Sequence, residues 1–565
     1  ASTGDWTSTA TWIGGVVPTQ ADNVTISGGH TVTLPSTQAV YNLTIENGAT
    51  LYSNVSLPIA STSIRYIRIY GSNITTYGIL GGTADAIGIE LFASTTFTGS
   101  GTLRPCRVRV ASNQKNISMT FDQDATLTYT GTTGTGGTAL YAENINNESV
   151  TITINSGKTV SFVDYASFYL NNGNSNDSTT NAVINIYGAV DLSGPNSNMG
   201  LKVSPTITCA LNVNGTLNIG RNFNASSTAP GGIPSINVGS SGSITVGGLA
   251  DFTEPTLVIT GAGSFTLSSF ASMNIGSPDG ISASGSTGNI QTAVRNFSSS
   301  ADYRYDGVAD QVTGNGLPSV VRALTISNNV GVKLTQNVTV NDTLHLSTGD
   351  LNLNGKIITL GDTGYIREAS GNTLVGNYGG ITTTRSLNNP SDTVDIAGMG
   401  IKIGSTADLG STTITRGHRS QGGVSVRRYF DVAPALNTGL NAKLVYRYDD
   451  SEVSGVDVEP KLVLFKSIDA GVNYTKIGGV IDTGANTITL TGLDGFSRWV
   501  ASDSSKAIPS ILHYLTVNKN WNMVSVAYTV EDYTKTVLYP SAISNAFAYE
   551  GSYISKPILA NMVGY

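Results

Sequence analysis

The sequence predicts an all-β protein: a parallel β-solenoid (β-helix) rod, then an antiparallel β-sandwich, then a small C-terminal β module. Short alternating runs of Val, Ile, Leu and Thr, separated by Gly, Asn and Ser, have the chemistry of strands and turns. Pairs of such runs joined by a Gly turn start at Ile184, Leu211, Ile236 and Leu257, which are 27, 25 and 21 residues apart. That spacing is typical of solenoid coils. Only 12% of the residues are charged, about half the usual share.

Coil stacking explains the low charge. Successive coils stack ~4.8 Å apart, so equivalent side chains lie directly above one another. Two like charges at that distance repel by roughly 3.5 kcal/mol at an effective dielectric constant of ~20, whereas Thr, Ser and Asn can hydrogen-bond along the stack. Residues 1–300 hold 15 acidic and 10 basic side chains, and the other 265 residues hold 23 and 21. We therefore expect the solenoid in the first half, with a row of small β-sandwiches as the competing interpretation.

Changes in pattern divide the chain into four segments. Residues 1–300 are predicted to form an N-terminal solenoid, and 301–378 a second solenoid segment beyond a linker or capped joint near 295–305. Together they predict about fifteen coils of ~24 residues. From 379 to 505 the strands are longer and more charged, which is typical of an antiparallel sandwich. Residues 506–565 are expected to form a small β module that is incomplete, with the chain continuing or cut beyond it.

The composition excludes several classes of protein. A net charge of −7 without a basic cluster argues against a nucleic-acid binder. No apolar run reaches the ~18 to 20 residues of a membrane-spanning helix. Two cysteines and four histidines exclude a disulfide framework and leave little material for a soft-metal site, and we expect no cofactor. Cys106 and Cys209 should lie about four coils apart, and both are predicted to be unpaired and buried.

No motif predicts an enzyme, since nucleophile elbows, phosphate loops and zinc-binding His pairs are all missing from the sequence. The acidic pair Asp122 and Asp124 shares one strand face, but no basic residue lies one period away, so we predict no catalysis there. Arg107 and Arg109 share another strand face and are a candidate binding site for a sugar acid or a sulfate. An outer face paired with nearby acids is the favoured interpretation.

Two stretches of the predicted sandwich are rich in oxygen ligands. Asp449, Asp450 and Glu452 are candidate Ca²⁺ ligands, but they lack EF-hand spacing and a solvated loop is favoured. The segment Ser467–Tyr474 is expected to form the turn of a hairpin, in which Asp469 turns the backbone and Gly471 has a positive φ.

Several motifs carry a resemblance to known proteins. They are Gly4-Asp-Trp-Thr with Ala10-Thr-Trp12, Tyr305-Asp-Gly with Gln311-Val-Thr-Gly, Arg427-Arg-Tyr-Phe-Asp-Val432, and Asn520-Trp-Asn-Met-Val-Ser-Val526. With them the chain resembles the large secreted β-solenoid surface proteins of Gram-negative bacteria that use type IX secretion. The resemblance implies an extracellular or cell-surface protein, exported after signal-peptide removal, and not an enzyme. It also implies O-glycans at Asp-Ser/Thr sites, with Ser178, Thr343 and Thr393 as candidates.

The predicted function is that of an extracellular structural protein. Solenoid ends expose unpaired backbone, so we expect subunits to self-associate into a filament, surface layer or sheath by strand pairing. The segment around Trp6 and Trp12 is predicted to cap the first coil or to insert into a neighbouring subunit. The alternative is an adhesin or glycan-binding protein that uses exposed Tyr and Trp without polymerising. A polysaccharide-degrading β-helix enzyme is third. The expected partners are the protein itself and a cell-surface or environmental polysaccharide, without nucleic acid or a membrane span.

Overall fold

The structure is a computed structural model, and its residues fall into two compact units. The solenoid unit comprises Ala1–Val375, Gly380–Leu387 and Val394–Lys402, and the sandwich unit comprises Gly376–Gly379, Asn388–Thr393 and Ile403–Tyr565. The structure describes residues 1–111, 114, 116–129, 137–142, 148–163, 165–170, 180–194, 196–203, 209–227, 234–453, 459–509, 523–526, 532–539, 542–560 and 563–565.

The regular secondary structure of the described residues is almost entirely strand, as predicted. Helical structure is limited to four 3₁₀ turns (Thr9–Thr11, Ser61–Ser63, Asp450–Glu452 and Glu459–Lys461) and one α-helical turn, Lys535–Leu538. The strands in chain order are β1 (Gly4–Asp5), β2 (Asn23–Ile26), β3 (Thr31–Leu34), β4 (Gln38–Val40), β5 (Asn42–Ile45), β6 (Thr50–Ser53), β7 (Arg65–Ile69), β8 (Asn73–Thr76), β9 (Ile79–Gly81), β10 (Ile87–Leu91), β11 (Thr95–Gly99), β12 (Thr102–Arg104), β13 (Arg107–Val110), β14 (Ile117–Phe121), β15 (Ala125–Leu127), β16 (Gly137–Ala142), β17 (Glu148–Ile154), β18 (Thr159–Phe162), β19 (Ala166–Leu170), β20 (Thr180–Ile186), β21 (Ala189–Leu192), β22 (Met199–Val203), β23 (Cys209–Val213), β24 (Thr216–Ile219), β25 (Asn222–Ser227), β26 (Ser235–Val238), β27 (Ser243–Val246), β28 (Leu249–Phe252), β29 (Ile259–Leu267), β30 (Ser272–Ile275), β31 (Ile290–Phe297), β32 (Asp302–Tyr305), β33 (Gln311–Val312), β34 (Val320–Val321), β35 (Ala323–Ser327), β36 (Val332–Lys333), β37 (Val338–Val340), β38 (Thr343–Thr348), β39 (Leu351–Asn352), β40 (Ile357–Leu360), β41 (Tyr365–Glu368), β42 (Leu374–Val375), β43 (Gly380–Leu387), β44 (Val394–Asp395), β45 (Ile401–Gly404), β46 (Gly410–His418), β47 (Ser425–Pro434), β48 (Ala442–Arg447), β49 (Leu462–Ser467), β50 (Thr475–Gly478), β51 (Val480–Asp482), β52 (Thr487–Leu493), β53 (Arg498–Asp503), β54 (Ala546–Tyr549) and β55 (Tyr553–Lys556).

Each solenoid coil contributes strands to three faces, and successive coils pair in parallel. The first face begins with β2, β5 and β8, the second with β3, β6 and β9, and the third with β4, β7 and β10. Ile184 lies opposite Leu211, and Leu211 opposite Ile236, so three predicted repeat starts stack as expected. The fourth stacking residue is Ile259, two residues beyond the predicted start. Among the described residues, fourteen strands line the third face, close to the fifteen coils expected.

A column of neutral polar residues follows the outside of the first face. The amide of Asn42 donates to Asn23 Oδ1 at 2.7 Å, and that of Asn212 donates to Asn185 Oδ1 at 3.0 Å. Such bonds are consistent with the reason given for the low charge, because stacked Asn side chains can bond to one another where stacked charges would repel. The column consists of Asn23, Asn42, Asn73, Thr96, Thr120, Thr153, Asn185, Asn212, Asn237 and Thr260.

The interior of the coils stacks in the same way with apolar side chains. Phe97 lies opposite Phe121, and their ring centroids are 4.6 Å apart with the planes 8° from parallel. Cys106 and Cys209 are both free and buried, as predicted. Burial raises the pKa of the Cys209 thiol to about 12, so neither packing nor charge favours a reactive thiolate there.

The joint predicted near 295–305 is wrong for the third face. There β32 pairs with β30 on one side and with β35 on the other, so the parallel ladder continues without a break. The other two faces do change, because β31 ends their long sheet and the short strands β33 and β34 begin new ladders. The third face therefore carries the solenoid across the predicted boundary.

The sandwich boundary predicted at residue 379 lies too early, because Gly380–Leu387 and Val394–Lys402 belong to the solenoid unit. Strand β43 pairs in parallel with β40, with Ile381 opposite Ile358, and so extends a solenoid face. The guanidinium of Arg385, on this strand, donates to the carbonyl oxygen of Gly364 at 2.7 Å within the solenoid unit.

The sandwich unit contains two antiparallel groups of strands, as predicted. One group runs β46–β47–β53–β49–β50 and the other β48–β52–β51. Phe430 from the first group meets Tyr446 from the second edge to face, with ring centroids 5.3 Å apart. The described part of the C-terminal segment adds the hairpin of β54 and β55. Trp521 lies outside the described residues.

Candidate functional site

The segment around Trp6 and Trp12 lies over the first coil of its own chain. Strand β1 pairs in parallel with β3, and the Trp6 backbone N–H donates to the carbonyl oxygen of Thr33 at 2.8 Å. The Trp12 indole N–H donates to the Trp6 carbonyl oxygen at 2.7 Å, and the two rings meet edge to face with centroids 4.7 Å apart. Trp6 is fully buried, so it closes the apolar interior at this end.

This cover leaves two strands of the first coil with a free edge. Strand β2 pairs only with β5, and β4 only with β7, among the residues that the structure describes. Strand β1 covers just two positions of β3. Ile13 and Val16, in the loop beside the cover, are 89% and 70% exposed. An unpaired strand edge beside exposed apolar side chains is a template for pairing with another chain.

A second candidate site is an open depression of about 550 Å³ at the corner between the first and second faces. It is lined by Thr44, Glu46, Asn47, Tyr77 and Ser100. Thr44 lies opposite Thr75, which puts Glu46 next to Tyr77 one coil further along. Tyr77 and Ser100 then occupy the same corner of adjacent coils.

The backbone fixes the corner firmly. The N–H groups of Tyr77 and Gly78 both donate to the Ile45 carbonyl oxygen, at 2.8 and 3.1 Å. A side chain at position 78 would place Cβ 2.2 Å from the Ala49 carbonyl oxygen. The Tyr-Gly pair therefore brings two coils into close contact while the Tyr77 ring projects outward, 51% exposed.

A cluster of charges on the third face was missed by the sequence analysis. Asp251, Asn274 and Arg304 stack in one column. The hydroxyl of Thr253 donates to Asp251 Oδ1 at 2.7 Å and lies 3.2 Å from an oxygen of Asp306, whose carboxylate lies 3.6 Å from Arg304 Nε. Burial raises the pKa of Asp306, while the bond from Thr253 lowers it. Coils of unequal length place these residues in one column, so a single fixed period does not bring them together.

The basic cluster of β13 is satisfied within the chain. Glu90 accepts from Arg68 Nε and from Arg109 Nη2, both at 2.6 Å, so Arg109 is paired with an acid as favoured. The outer-face interpretation is wrong for Arg107, because its side chain is buried. Its Nε donates to the Thr138 carbonyl oxygen at 2.8 Å, and its guanidinium lies over the Tyr129 ring. The cluster is thus committed to internal contacts.

The candidate Ca²⁺ ligands do not converge. Glu452 is buried and binds Arg428 Nε at 2.9 Å, so the solvated loop favoured for it is also wrong. Asp450 accepts from the Asn486 amide at 2.7 Å, and Asp449 accepts from the Ser451 N–H at 3.0 Å. Across the described ranges, no group of three His, Cys, Asp or Glu side chains is placed to hold a metal ion.

Glu452 belongs instead to a buried ionic network that sequence analysis did not find. His418 donates from Nδ1 to Glu452 at 3.2 Å and accepts at Nε2 from Arg416 Nε at 2.8 Å. Burial and the charge of Arg416 lower the pKa of His418 to about 4. Burial alone would raise the pKa of Glu452, but Arg428 and His418 outweigh it and hold the pKa at about 2. The network joins β46, β47 and a 3₁₀ turn.

The remaining predicted positions have simple placements. Asp469 accepts from Ser467 Oγ and from the Asn473 backbone N–H, and Gly471 has a φ of +94°, which confirms the predicted hairpin. Thr343 is half-buried on β38, with its hydroxyl 3.3 Å from Asp342 Oδ1. Thr393 is also half-buried, and Ser178 lies outside the described residues.

Comparison of the chain with protein-family models, curated proteins and solved structures finds no match. In the part of the chain that the structure describes, no helix has the length and apolar character needed to cross a membrane.

Proposed function

We propose that the protein is an extracellular or cell-surface structural protein that self-associates through the free edges of its first solenoid coil, as a building block of a filament, surface layer or sheath. The observation that carries the proposal is that β2 and β4 each pair with one strand only among the described residues. Unpaired N–H and C=O groups on such edges gain hydrogen bonds when a second copy adds its own strand.

The opposite end of the third face is differently arranged. The N–H of Ile366 on β41, the last strand of that face, donates to the Ala397 carbonyl oxygen at 2.9 Å. Met399 and Ile401, which follow in the same segment, are buried. Because the solenoid unit covers this strand with its own chain, the first coil is the end that favours edge pairing. Pairing there joins two copies, and longer assemblies need a further contact.

The test introduces a positive charge on each of the two edge strands to prevent their pairing. Thr25→Lys with Gln38→Lys would place like charges next to each other wherever two first coils meet, each close pair costing roughly 3.5 kcal/mol at a dielectric constant of ~20. Sedimentation velocity and negative-stain micrographs should show assemblies for the wild-type chain and monomers for this variant.

A matched control carries the same added charge within a middle coil. Asn212→Lys with Asn224→Lys lies on β23 and β25, far along the stack from the first coil, and should assemble like the wild-type chain. Wild-type protein that stays monomeric at all concentrations, or an edge variant that assembles normally, would overturn the proposal. Removing residues 1–15 is a poorer test, because it would also uncover the interior that Trp6 closes.

A further inference from the structure

We propose that the corner depression around Tyr77 is a binding site for one neutral pyranose unit of a polysaccharide, independent of the self-association site. The depression holds about 550 Å³ and combines one exposed aromatic ring with polar side chains from three successive coils. Saccharide sites use this combination because the apolar face of a sugar ring stacks on an aromatic ring while its hydroxyls meet polar groups at the rim.

The polar groups of the depression have unused hydrogen-bonding capacity. Within the described part of the chain, the side chains of Thr44, Asn47 and Ser100 and the Tyr77 hydroxyl have no hydrogen-bond partner in the protein. Glu46 accepts from the Gly28 N–H through Oε2 at 3.1 Å, which leaves Oε1 for a ligand. Two hydroxyls, an amide, a phenol and a carboxylate oxygen thus line one depression that opens to solvent.

The charge around the depression selects among sugars. An ionised carboxylate such as that of Glu46 only accepts hydrogen bonds, so it suits sugar hydroxyls and N–H groups as donors. Among the described residues that line the depression, Glu46 is the one with an acidic or basic side chain of the Asp, Glu, Lys or Arg type. An acidic sugar entering the depression would meet this carboxylate with no lysine or arginine in the described lining. The class of ligand is therefore a neutral hexose or an N-acetylated amino sugar.

The chain supplies its own control at Tyr187. Its N–H and that of Gly188 both donate to the Ile154 carbonyl oxygen, at 2.9 and 3.2 Å, so the corner has the same Tyr-Gly backbone. Tyr187 is 48% exposed, nearly the same as Tyr77. Its neighbour in the column is Asn155, whose amide is already committed to Asp122 at 3.0 Å. The Tyr187 corner therefore offers a similar ring, but its neighbour in the adjacent coil is an amide where Tyr77 has a carboxylate.

The experiment is titration of the full chain with cellohexaose, chitohexaose and oligogalacturonate, followed by calorimetry and by NMR saturation transfer. At least one neutral hexasaccharide should bind saturably and more tightly than the acidic one. Tyr77→Ala should weaken that binding about tenfold or more, whereas Tyr77→Phe keeps the stacking surface and should lose threefold or less. Glu46→Gln should weaken it three- to tenfold, and Tyr187→Ala should leave it unchanged.

Several outcomes would overturn the assignment. They are no saturable binding of either neutral probe at millimolar concentration, equal loss from Tyr77→Ala and Tyr187→Ala, or tighter binding of the acidic oligosaccharide. A Tyr77→Ala variant that changes the sedimentation of the sugar-free protein would assign the depression to a contact between copies instead. Tyr77 is not on β2 or β4. Failure of sugar binding at the depression therefore leaves the edge-pairing proposal intact, and failure of edge pairing leaves the sugar-binding proposal intact.

Discussion

The solenoid unit and the sandwich unit handle charge in opposite ways. The first face of the solenoid carries an uncharged column of Asn and Thr, bonded along the stack. The sandwich buries Arg416, Arg428 and Glu452 around His418. In a parallel stack, equivalent positions of successive coils lie ~4.8 Å apart, so each side chain lies next to the equivalent residues of the coils above and below. A charged side chain therefore needs an opposite charge in the adjacent coil. Antiparallel strands place unlike positions together, which allows one specific network.

The solenoid obeys this rule even where it does carry charge. Arg68, Glu90 and Arg109 lie in register on three successive strands of the third face, with the acid between the two cations. The alternation turns the repulsion of stacking into attraction. The two units therefore predict different penalties for changing charge, and the experiments below compare them.

The largest effect is expected in the sandwich from Glu452→Gln. The substitution removes the buried carboxylate that Arg428 contacts, and breaking a buried ion pair in this way typically costs about 3–5 kcal/mol. Urea unfolding followed by pulse-labelling hydrogen exchange, in peptides that cover β47 and β53, measures the loss. Asp450→Asn, on an exposed neighbour of Glu452, is the control and should change the free energy of unfolding by less than about 0.5 kcal/mol. Equal stability of both variants would contradict a structural role for the network.

The second effect is a pH dependence of the sandwich that comes from its buried ionic network. The folded-state pKa of His418, about 4, lies below its unfolded value near 6.5. Between those values the unfolded chain takes up a proton that the folded unit excludes. Stability is therefore full above pH 6.5 and falls as the pH drops toward 4, by about 3 kcal/mol. Glu452 extends the loss, because the stability from its lowered pKa disappears as the pH falls from 4.5 to about 2.

Urea unfolding at pH 7.5, 5.5 and 4.5, with the exchange pulse at one fixed pH, checks this prediction. His418→Gln keeps an amide that can donate and accept, and should remove most of the slope between pH 6.5 and 4.5. His30→Gln, in the solenoid unit, should leave the slope of the sandwich unchanged. A slope that persists in His418→Gln would mean that other groups cause the acid sensitivity.

The contrast also explains what the sequence could and could not predict. The solenoid was accessible because each coil repeats the same local pattern, so Ile184, Leu211 and Ile236 stack as their spacing indicates. The cluster of Asp251 and Asp306 could not be predicted from the sequence, because coils of unequal length bring these residues together. Glu452 looked like a loop carboxylate because its partners Arg428 and His418 come from other strands. The free edges of β2 and β4 follow from the chain topology, whereas the Tyr77 depression depends on which corner side chains stay unpaired.

A smaller effect tests the stacking rule itself. Thr120 and Thr153 are opposite each other on β14 and β17, so Thr120→Lys with Thr153→Lys creates a like-charge pair in adjacent coils. Solvent screening reduces the repulsion on this outer surface, and we expect the double variant to lose about 1–2 kcal/mol beyond the sum of the single variants. Thr120→Lys with Asn237→Lys separates the charges by four coils and should be additive. High salt should shrink the coupling of the adjacent pair. Additivity in both pairs would mean that charge repulsion does not explain the neutral column.

The smallest effect is expected from Glu90→Gln, which removes the acid that lies between Arg68 and Arg109 on the third face. In Glu90→Gln, Arg68 and Arg109 lose their shared partner, but both guanidiniums are partly exposed and can regain water. The expected loss is about 1 kcal/mol, less than in the sandwich, because water replaces much of what the carboxylate supplied. Hydrogen exchange of peptides that cover β7, β10 and β13 measures it. Double replacement of Arg68 and Arg109 by Gln in the Glu90→Gln background should restore part of the loss, because all three positions then become neutral like the first-face column. A loss as large as that of Glu452→Gln would show that burial, and not the geometry of stacking, sets the penalty in both units.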